Sequence, residues 1–271
     1  MKSDRKGGSH IWSYRWSWRT RAWAQAGAKG IILAGRTELR LKEPSDAVKK
    51  LSPSTKVIAV PTEVTSEQSV KSVFETALVS FERIDVVMNA CGVMNNGHKT
   101  GEIEPSQWFR DFEVNVKGSY NIAHNFIKSG GGQGTIIFIV SMGASFTVPG
   151  ISSYSASKLS VIKLAEYLDA EHPQLRVFAI HPGILQQTET KRGMVVDTFT
   201  PFARDKGIMT GGITLYFAGP TAEHLRGCFF SANWELDETA AHKEEIIDQK
   251  LLKLSFLHAK LSPEGHPWGS K

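Results

Sequence analysis

Cysteine and long apolar runs are scarce in this chain of 271 residues, and each scarcity excludes a class of protein. The two cysteines, Cys91 and Cys228, form neither a CxxC motif nor the spacing of metal ligands. We therefore expect them to be reduced and buried, as in an intracellular protein. The strongest apolar run, residues 136–140, has the length of a strand and not the roughly 18 residues of a membrane span. The N-terminal region also has no apolar stretch of signal-peptide length, so the sequence predicts a cytoplasmic protein that does not bind membranes.

Glycine is missing from residues 9–26, although the whole chain contains 24 glycines. In its place, residues 11–23 read IWSYRWSWRTRAW, with four tryptophans and three arginines. Residues 1–30 carry seven basic side chains against Asp4, and because the net charge of the chain is +5, the remainder sums to −1. A basic aromatic arm for nucleic acid is one interpretation of this segment. We favour a disordered or mis-encoded leader and expect no nucleic-acid partner, because the rest of the chain has no basic excess.

Strand-like and helix-like patterns alternate through the rest of the chain. Short apolar runs predict strands at 31–34, 57–60, 85–88, 135–140, 176–180 and 228–232. Helical periodicity predicts helices at 65–82, 105–126 and 154–170, and an amphipathic C-terminal helix at 235–258. Continuous apolar strands that alternate with helices are typical of a parallel sheet covered on both faces. The sequence therefore predicts the α/β class, with a single doubly wound Rossmann-like domain.

Three polar side chains follow one predicted strand in a pattern suited to proton transfer. Ser141 comes directly after the strand at 135–140, Tyr154 lies thirteen residues later, and Lys158 follows it by four. Tyrosine and lysine at that spacing share one helix face. A phenol has a pKa of about 10, and a nearby ammonium group lowers this pKa because it favours the phenolate. The pattern predicts general acid–base catalysis between a carbonyl and an alcohol, although such pairs are also common on helices without a function.

These residues resemble the classical short-chain dehydrogenase/reductase family, over about residues 22–234. Asn89 and Gly92 in NACG are similar to the family's NNAG element, which also follows a strand. Asn115 in NVKG matches the asparagine of the family's catalytic tetrad. The ending LRGCFFSANWEL looks like that of fungal members that act in secondary metabolism. Taken together, the motifs identify the chain as a fungal-type member with an atypical N-terminus.

The resemblance implies a role for each matching residue. Tyr154 is expected to donate or accept the proton, and Lys158 is expected to lower its pKa and to hold the nicotinamide ribose. Ser141 is expected to orient the substrate carbonyl, and Asn115 to hold a water in a proton relay. The implied catalytic residues are therefore Asn115, Ser141, Tyr154 and Lys158. The implied cofactor-binding residues are Arg36, Glu63, Asn89, Gly92, Tyr154, Lys158, Pro182, Gly183, Ile184 and Thr188.

The strand at 31–34, which matches the family's second strand, bears on the choice of cofactor. NAD-preferring relatives have an acidic residue near the end of this strand, where it bonds the ribose 2′-hydroxyl. Here the strand ends in LAGRT, with Arg36 and no acid. An arginine fork suits a 2′-phosphate, so we expect NADP(H), with a solvated surface charge as the alternative for Arg36. Glu63 stands where the family has an aspartate beside the adenine.

The segment at 186–212 corresponds to the family's variable lid over the substrate. Its apolar side chains predict a small-molecule substrate of apolar character, unless they are only core contacts of the lid. They are Met194, Val195, Val196, Phe199, Phe202 and Met209. We interpret His181 as a strand-end residue and not as a catalyst. The family forms homodimers or homotetramers through its two long helices, here 105–126 and 154–170, so the resemblance implies such an oligomer.

The family's first strand and its glycine loop, T-G-x-x-x-G-x-G, have no clear counterpart in this sequence. We therefore expect both to be degraded or missing. The predicted segments are an atypical basic and aromatic segment at 1–21, an NAD(P)-binding domain at 22–234, and a C-terminal helix and tail at 235–271. Trp12, Trp16 and Trp18 have the spacing of the loop's three glycines, and a tryptophan codon read one base later supplies a glycine codon. A frameshift or mis-assigned splice site near residue 21 is therefore a hypothesis.

Two functions follow from these observations. The first is an NADP(H)-dependent oxidoreductase that interconverts a carbonyl and an alcohol, with Tyr154 as the general acid or base. The second is a catalytically impaired, family-like protein or mis-encoded product that acts at most as an interaction scaffold, because its dinucleotide loop is lost. Binding of NADPH distinguishes the two.

Overall fold

The apolar runs of the sequence form a β-sheet in the computed structural model, which describes residues 10–13, 17–95, 97–185 and 200–255. The strands are β1 (His10–Ser13), β2 (Gly30–Gly35), β3 (Lys56–Pro61), β4 (Val86–Asn89), β5 (Gly134–Ile139), β6 (Leu175–His181) and β7 (Phe229–Ser231). The helices are α1 (Ser17–Gln25), α2 (Glu38–Leu51), α3 (Glu67–Phe81), α4 (Pro105–Phe112), α5 (Gly118–Gly130), α6 (Ser152–Glu171), α7 (Gly207–Ala218), α8 (Leu236–Ala241) and α9 (Lys243–Asp248).

The strands are parallel and lie in the order β3-β2-β1-β4-β5-β6-β7. The chain moves outward from β1 to β3 and then returns to the other side of β1 to begin β4. In doubly wound sheets, ligands bind outside the carboxyl ends of the strands at such a reversal. The predicted doubly wound α/β class is confirmed, and the crevice of the sheet lies beside β1 and β4.

A first strand of four residues is present, so of the two predicted alternatives, a degraded or a missing strand, the missing strand is wrong. Ile11 of β1 pairs with Ile31 of β2 on one side and with Val86 of β4 on the other. The backbone groups of β2 and β4 that face this position need hydrogen-bond partners inside the sheet. This long-range requirement outweighs the weak local strand signal of His-Ile-Trp-Ser. Thus β1 and α1 both begin before the predicted domain boundary at residue 22.

Two hydrophobic cores cover the two faces of the sheet. One packs α3, α5 and α6 against the strands and includes the stacked rings of Phe74 and Phe126. The other packs α1, α2 and α7, and includes Trp23 together with Phe178 and Phe217, whose ring centroids lie 4.5 Å apart. Burying each aromatic side chain contributes roughly 1.5–3 kcal/mol. The helices on both faces therefore hold the strands in one layer.

The predicted helix at 105–126 is present and continues to Gly130, with one irregular turn. It begins with Pro105 in its first turn, where the missing N–H has no cost. Between α4 and α5, Glu113–Lys117 forms a π turn, which holds one more residue than a regular turn. Asn115 lies within this turn, and such turns are frequent at functional sites.

The predicted C-terminal helix at 235–258 is wrong in its extent, because α8 and α9 are short and end at Asp248. Lys250 and Leu252 have positive φ angles of 52° and 60°, which a right-handed helix does not contain. The Leu252 carbonyl accepts a hydrogen bond from the Phe229 N–H at 2.8 Å, so this segment lies beside β7. Residues 256–258 fall outside the described residues.

Within the described ranges, no helix combines the length and apolar character that a membrane crossing requires.

Replacing Trp23 tests whether α1 is packed into the domain. Trp23 is buried, and its Nε1 donates to Thr214 Oγ1 on α7 at 3.0 Å. We expect Trp23→Ala to lower the free energy of unfolding in urea by about 3–5 kcal/mol, because truncating a buried aromatic ring leaves a cavity. The control Leu39→Ala truncates an exposed side chain and should change this free energy by less than about 0.5 kcal/mol. Equal effects in the two variants would contradict the packing of α1.

Candidate active site

The carboxyl ends of β4, β5 and β6 bring predicted site residues to one edge of the sheet. Asn89 ends β4, Ser141 comes two residues after β5, and Pro182 directly follows β6. Parallel strands align these ends, because all of them run in the same direction. Helix α6 begins at the same edge and carries Tyr154 and Lys158 in its first two turns. The structure thus brings residues far apart in sequence into one crevice.

The Ser141 side chain interacts with the phenol of Tyr154 and lowers its pKa. Ser141 is fixed by its neighbours, since its Oγ accepts a hydrogen bond from the Gly143 N–H at 3.0 Å. This bond caps the short 3₁₀ turn Met142–Ala144. Two adjacent hydroxyl groups in this arrangement can both contact the oxygen atom of a carbonyl or an alcohol, which is the geometry that general acid–base catalysis needs.

Lys158 lies buried one turn after Tyr154 on α6. Its Nζ donates to the Ile139 carbonyl at 2.9 Å and lies 5.9 Å from the centroid of the Tyr154 ring. The absence of a side chain at Gly92 permits this position, because a Cβ there would lie 3.2 Å from Lys158 Nζ and 3.3 Å from Asn115 Oδ1. Gly92 therefore contacts two of the four predicted catalytic residues.

The pKa of Tyr154 is raised above that of a free phenol, which differs from the lowering that the resemblance implies. Burial is the largest cause, because an apolar environment disfavours the phenolate. The interaction with Ser141 acts in the opposite direction, and the negative charge of Asp111 raises the pKa further. The phenol is therefore protonated at neutral pH in this structure.

Asn115 is fully buried, and its side chain connects two segments of the site. Its Oδ1 accepts from the Val93 N–H at 2.8 Å, and its Nδ2 donates to the Val93 carbonyl at 2.9 Å and to Ser157 Oγ at 2.9 Å. The two amide protons are thus directed at protein groups. The predicted role of Asn115 in holding a water stays a prediction, and what the structure adds is a link between the segment after β4 and α6.

Asn89 is buried at the end of β4 and organises the segment that follows. Its Nδ2 donates to Ser119 Oγ at 2.7 Å, and its Oδ1 accepts from the Cys91 N–H at 3.1 Å.

Cys91 and Cys228 are free and buried, as the sequence predicts. Burial raises the pKa of each thiol to about 11, so neither is a thiolate at neutral pH.

An acidic side chain that the sequence does not single out, Asp205, fixes the segment after β6. Its Oδ2 accepts from the Ile184 N–H at 2.6 Å, and its own N–H donates to the Ile184 carbonyl at 3.2 Å. Gly183 has a φ of +82°, and a Cβ there would lie 2.5 Å from Asp205 Oδ2. Both backbone polar groups of Ile184, a predicted cofactor contact, are therefore bonded to Asp205.

The predicted lid lies only partly within the described residues. Thr188, Met194, Val195, Val196 and Phe199 fall outside them. Of the two remaining apolar residues, Phe202 is exposed and Met209 packs against the second core. Met209 therefore has the core contact that the alternative interpretation gives it.

Arg36 and Glu63 lie beyond the carboxyl ends of β2 and β3, at the same edge of the sheet. Arg36 is exposed one residue after β2. Glu63 Oε1 accepts from the N–H and the hydroxyl of Thr65 at 3.1 and 3.0 Å. Burial opposes the ionisation of Glu63, but these bonds and the charges of Arg36 and Arg110 outweigh it and lower the pKa of the carboxyl. Arg36 and Glu63 thus interact electrostatically.

The described part of this edge fits the ribose and nicotinamide half of a dinucleotide. The Lys158 ammonium and the Tyr154 hydroxyl are groups that can bond ribose hydroxyls, and Gly92 leaves the adjacent space without a side chain. The connection between β1 and α1, residues 14–16, falls outside the described residues, so the prediction that the glycine loop is degraded or missing stays a prediction. In the parts of the chain that the structure covers, no cluster of three His, Cys, Asp or Glu side chains is arranged for a metal ion.

Comparison with known proteins identifies the family. The profile of the short chain dehydrogenases matches residues 19–197. A curated short chain dehydrogenase of Monascus purpureus is 31% identical over 243 residues, which cover 87% of this chain and 82% of that relative. Another, from Monascus ruber, is 26% identical over 248 residues, which cover 88% of this chain and 81% of the relative. This chain belongs to the short-chain dehydrogenase/reductase family, a family of oxidoreductases that use NAD(P)(H).

Solved structures share the fold at lower identity. Levodione reductase has a TM-score of 0.75 and 18% identity, with 82% of this chain and 95% of that chain covered. A variant of actinorhodin polyketide ketoreductase with NADPH has a TM-score of 0.73 and 18% identity, with 84% and 98% covered. At this identity the likeness shows the Rossmann fold alone. The predicted resemblance to fungal family members is confirmed by the Monascus relatives.

The titration of His181 generates a prediction about stability. His181 is buried at the end of β6, its Nδ1 has no hydrogen-bond partner among the described residues, and burial lowers its pKa from 6.5 to about 4. Below pH 6.5 the unfolded chain binds a proton that the folded chain does not bind, so stability falls as the pH falls from 6.5 to 4. We expect this group to account for a loss of about 3 kcal/mol, measured by urea denaturation.

His181→Asn removes this titration, so its free energy of unfolding should depend less on pH in that window. His98→Asn replaces an exposed histidine with the same side chain and serves as the control. If His181→Asn and the wild type respond identically to pH, burial of a neutral His181 is refuted.

Proposed function

We propose that this chain is an NADP(H)-dependent oxidoreductase that interconverts a carbonyl and an alcohol on a small apolar substrate. The observation that carries the proposal is the interaction of Ser141 with the phenol of Tyr154, with Lys158 buried one turn away on the same helix. The proposed catalytic residues are Asn115, Ser141, Tyr154 and Lys158. The nicotinamide, when bound, supplies or accepts the hydride.

The protein side chains handle the proton and the position of the substrate. In the reducing direction, the Tyr154 hydroxyl donates its proton to the substrate oxygen, and Ser141 donates a hydrogen bond to the same atom. The raised pKa of Tyr154 supports this direction, because the phenol still carries its proton at neutral pH. Lys158 places a positive charge beside the phenol and stabilises the phenolate that remains after transfer.

The proposal of NADP(H) over NAD(H) rests on the end of β2. Arg36 is exposed there, and its positive charge helps to lower the pKa of Glu63, which follows the end of the neighbouring strand. A guanidinium group binds a phosphate with two parallel hydrogen bonds, whereas a 2′-hydroxyl offers no such match. The NADPH in the actinorhodin ketoreductase structure is consistent with this choice. The other proposed cofactor contacts are Asn89, Gly92, Tyr154, Lys158, Pro182, Gly183, Ile184 and Thr188.

The setting of the reaction is also part of the proposal. The Monascus relatives and the tail LRGCFFSANWEL support a role in fungal secondary metabolism. We propose that the protein is cytoplasmic and forms a homodimer or homotetramer. Exposed apolar side chains on α4, α5 and α6 support the oligomer, and they are Phe109, Tyr120, Leu159 and Tyr167. We retain the predicted segments 1–21, 22–234 and 235–271 as a proposal. In this proposal β1, which lies in the first segment, completes the sheet of the central domain.

Tyr154→Phe tests the proposed chemistry. We expect the wild type to bind NADPH and to oxidise it with a ketone or quinone substrate. The phenylalanine variant should bind NADPH with unchanged affinity and lose nearly all turnover, because it has no proton to donate. Fluorescence titration measures the binding, and absorbance of NADPH measures the turnover.

The competing function is an impaired scaffold without a dinucleotide site, and the missing glycines at residues 9–26 favour it. Wild-type protein that does not bind NADPH at about 1 mM, the upper end of ordinary enzyme affinities, would reject the oxidoreductase. An in-frame transcript that encodes Trp12, Trp16 and Trp18 would reject the frameshift.

Arg36→Ala tests the preference between the two cofactors. Loss of a charged hydrogen bond to the 2′-phosphate should raise the dissociation constant of NADPH by about 10- to 100-fold and leave that of NADH nearly unchanged. Arg83→Ala is the matched control, since Arg83 is an exposed arginine that precedes β4 and so lies at the opposite edge of the sheet. An equal change for NADPH and NADH would contradict the role of Arg36.

A further inference from the structure

Asp111 is a fully buried carboxylate on α4, next to the proposed active site. Its Oδ2 accepts from Ser153 Oγ at 2.6 Å, and its Oδ1 accepts from Asn95 Nδ2 at 2.9 Å. The Asn95 N–H lies 3.1 Å from Oδ1 and 3.2 Å from Oδ2. Burial of a charged group is unfavourable unless hydrogen bonds compensate for it. Here neutral donors from two segments converge on one carboxylate.

The two donors belong to segments that form the site. Ser153 directly precedes Tyr154 on α6. Asn95 lies in the segment after β4, two residues beyond Val93, which Asn115 holds by two hydrogen bonds. One carboxylate therefore connects α4, the segment after β4 and the first turn of α6.

Two side chains in the first turn of α6 form hydrogen bonds with α4, and Ser155 in the same turn donates to the Gly143 carbonyl at 2.7 Å. Ile151 at its N-cap makes no capping bond. Instead, Ser152 Oγ accepts from Trp108 Nε1 at 3.0 Å, and Ser153 donates to Asp111. Trp108 and Asp111 are three residues apart and so lie on one face of α4. Two adjacent hydrogen bonds thus hold the turn that carries Tyr154.

We propose that Asp111 is a positioning residue, whose carboxylate fixes the first turn of α6 and so places the Tyr154 hydroxyl beside Ser141. The proposal rests on the function proposed above. It assigns two separable properties to Asp111: the hydrogen bonds fix the position of the helix, and the negative charge acts on the phenol.

The negative charge of Asp111 acts on two ionisable side chains of α6. The ionisable side chains with which Asp111 interacts are Tyr154 and Lys158, both on α6, whereas Ser153 and Asn95 are neutral. Burial raises the pKa of Asp111 itself, and Ser153, Asn95 and Lys158 oppose this effect. A carboxyl ionises far below the pH at which a phenol does. Asp111 is therefore charged throughout the titration of Tyr154 and disfavours its phenolate.

Three variants separate position from charge. Asp111→Asn keeps one acceptor oxygen and removes the charge. Ser153→Ala keeps the charge and removes the hydrogen bond to α6. Glu113→Gln removes the charge of an exposed acid two residues farther along and serves as the control. The readout is the titration of Tyr154 by NMR in protein labelled with ¹³C at tyrosine Cζ, where Tyr154→Phe identifies the resonance.

We expect Asp111→Asn to lower the pKa of Tyr154, and Ser153→Ala and Glu113→Gln not to lower it. In turnover assays, Ser153→Ala should reduce kcat by up to about 100-fold with unchanged affinity for NADPH, because small displacements of a catalytic group have effects of that size. Asp111→Asn should shift the pH profile of alcohol oxidation to lower pH. A merely structural role would lower the melting temperature and leave both the titration and the pH profile in place.

An unchanged Tyr154 titration in Asp111→Asn would overturn the proposal. The NMR titration needs no substrate, so it decides this question even if the wild type turns over no carbonyl compound, a result that would reject only the proposed function. If Asp111→Asn does not fold, Ser153→Ala decides: a kcat lowered at least tenfold supports the proposal, and a wild-type kcat refutes it.

Discussion

A strand in the middle of a parallel sheet needs partners on both sides, and the architecture of this protein depends on how β1 meets that need. Ile11 pairs with Ile31 and Val86, so β1 joins the two halves of the sheet. Without it, β2 and β4 would each expose an unpaired edge. Because all strands run in one direction, their carboxyl ends lie at one edge. The meeting of Asn89, Ser141 and α6 follows from this alignment.

Burial sets the electrostatic character of that edge. It favours the neutral forms of Tyr154, Cys91 and His181, and each has its pKa moved in the direction that burial requires. Lys158 and Asp111 are buried in the same region, and each is held by hydrogen bonds. The Lys158 ammonium and the Asp111 carboxylate make any negative charge that develops on Tyr154 sensitive to both groups.

The sequence allowed much of the fold and the centre of the site to be predicted, for physical reasons that also explain the failures. Apolar runs marked β2 to β7, because buried parallel strands need apolar residues on both faces. Tyr154 and Lys158 were recognisable because four residues on a helix bring two side chains together. The strand β1 was not recognisable, because it is defined by long-range pairing with β2 and β4 and not by a local apolar run. Asp205 also gave no local signal, because it contacts Ile184 from 21 positions away.

The π turn at Glu113–Lys117 has a consequence for the length of the chain. One extra residue advances the direction of the helix face by about 100°. As a result, α4 faces the start of α6, where Trp108 and Asp111 make their bonds, while α5 faces α3 through the rings of Phe126 and Phe74. A single-residue insertion or deletion between Asp111 and Phe126 would rotate α4 away from α6 or α5 away from α3. In this helix the residue count itself is under constraint, independently of which side chains occupy it.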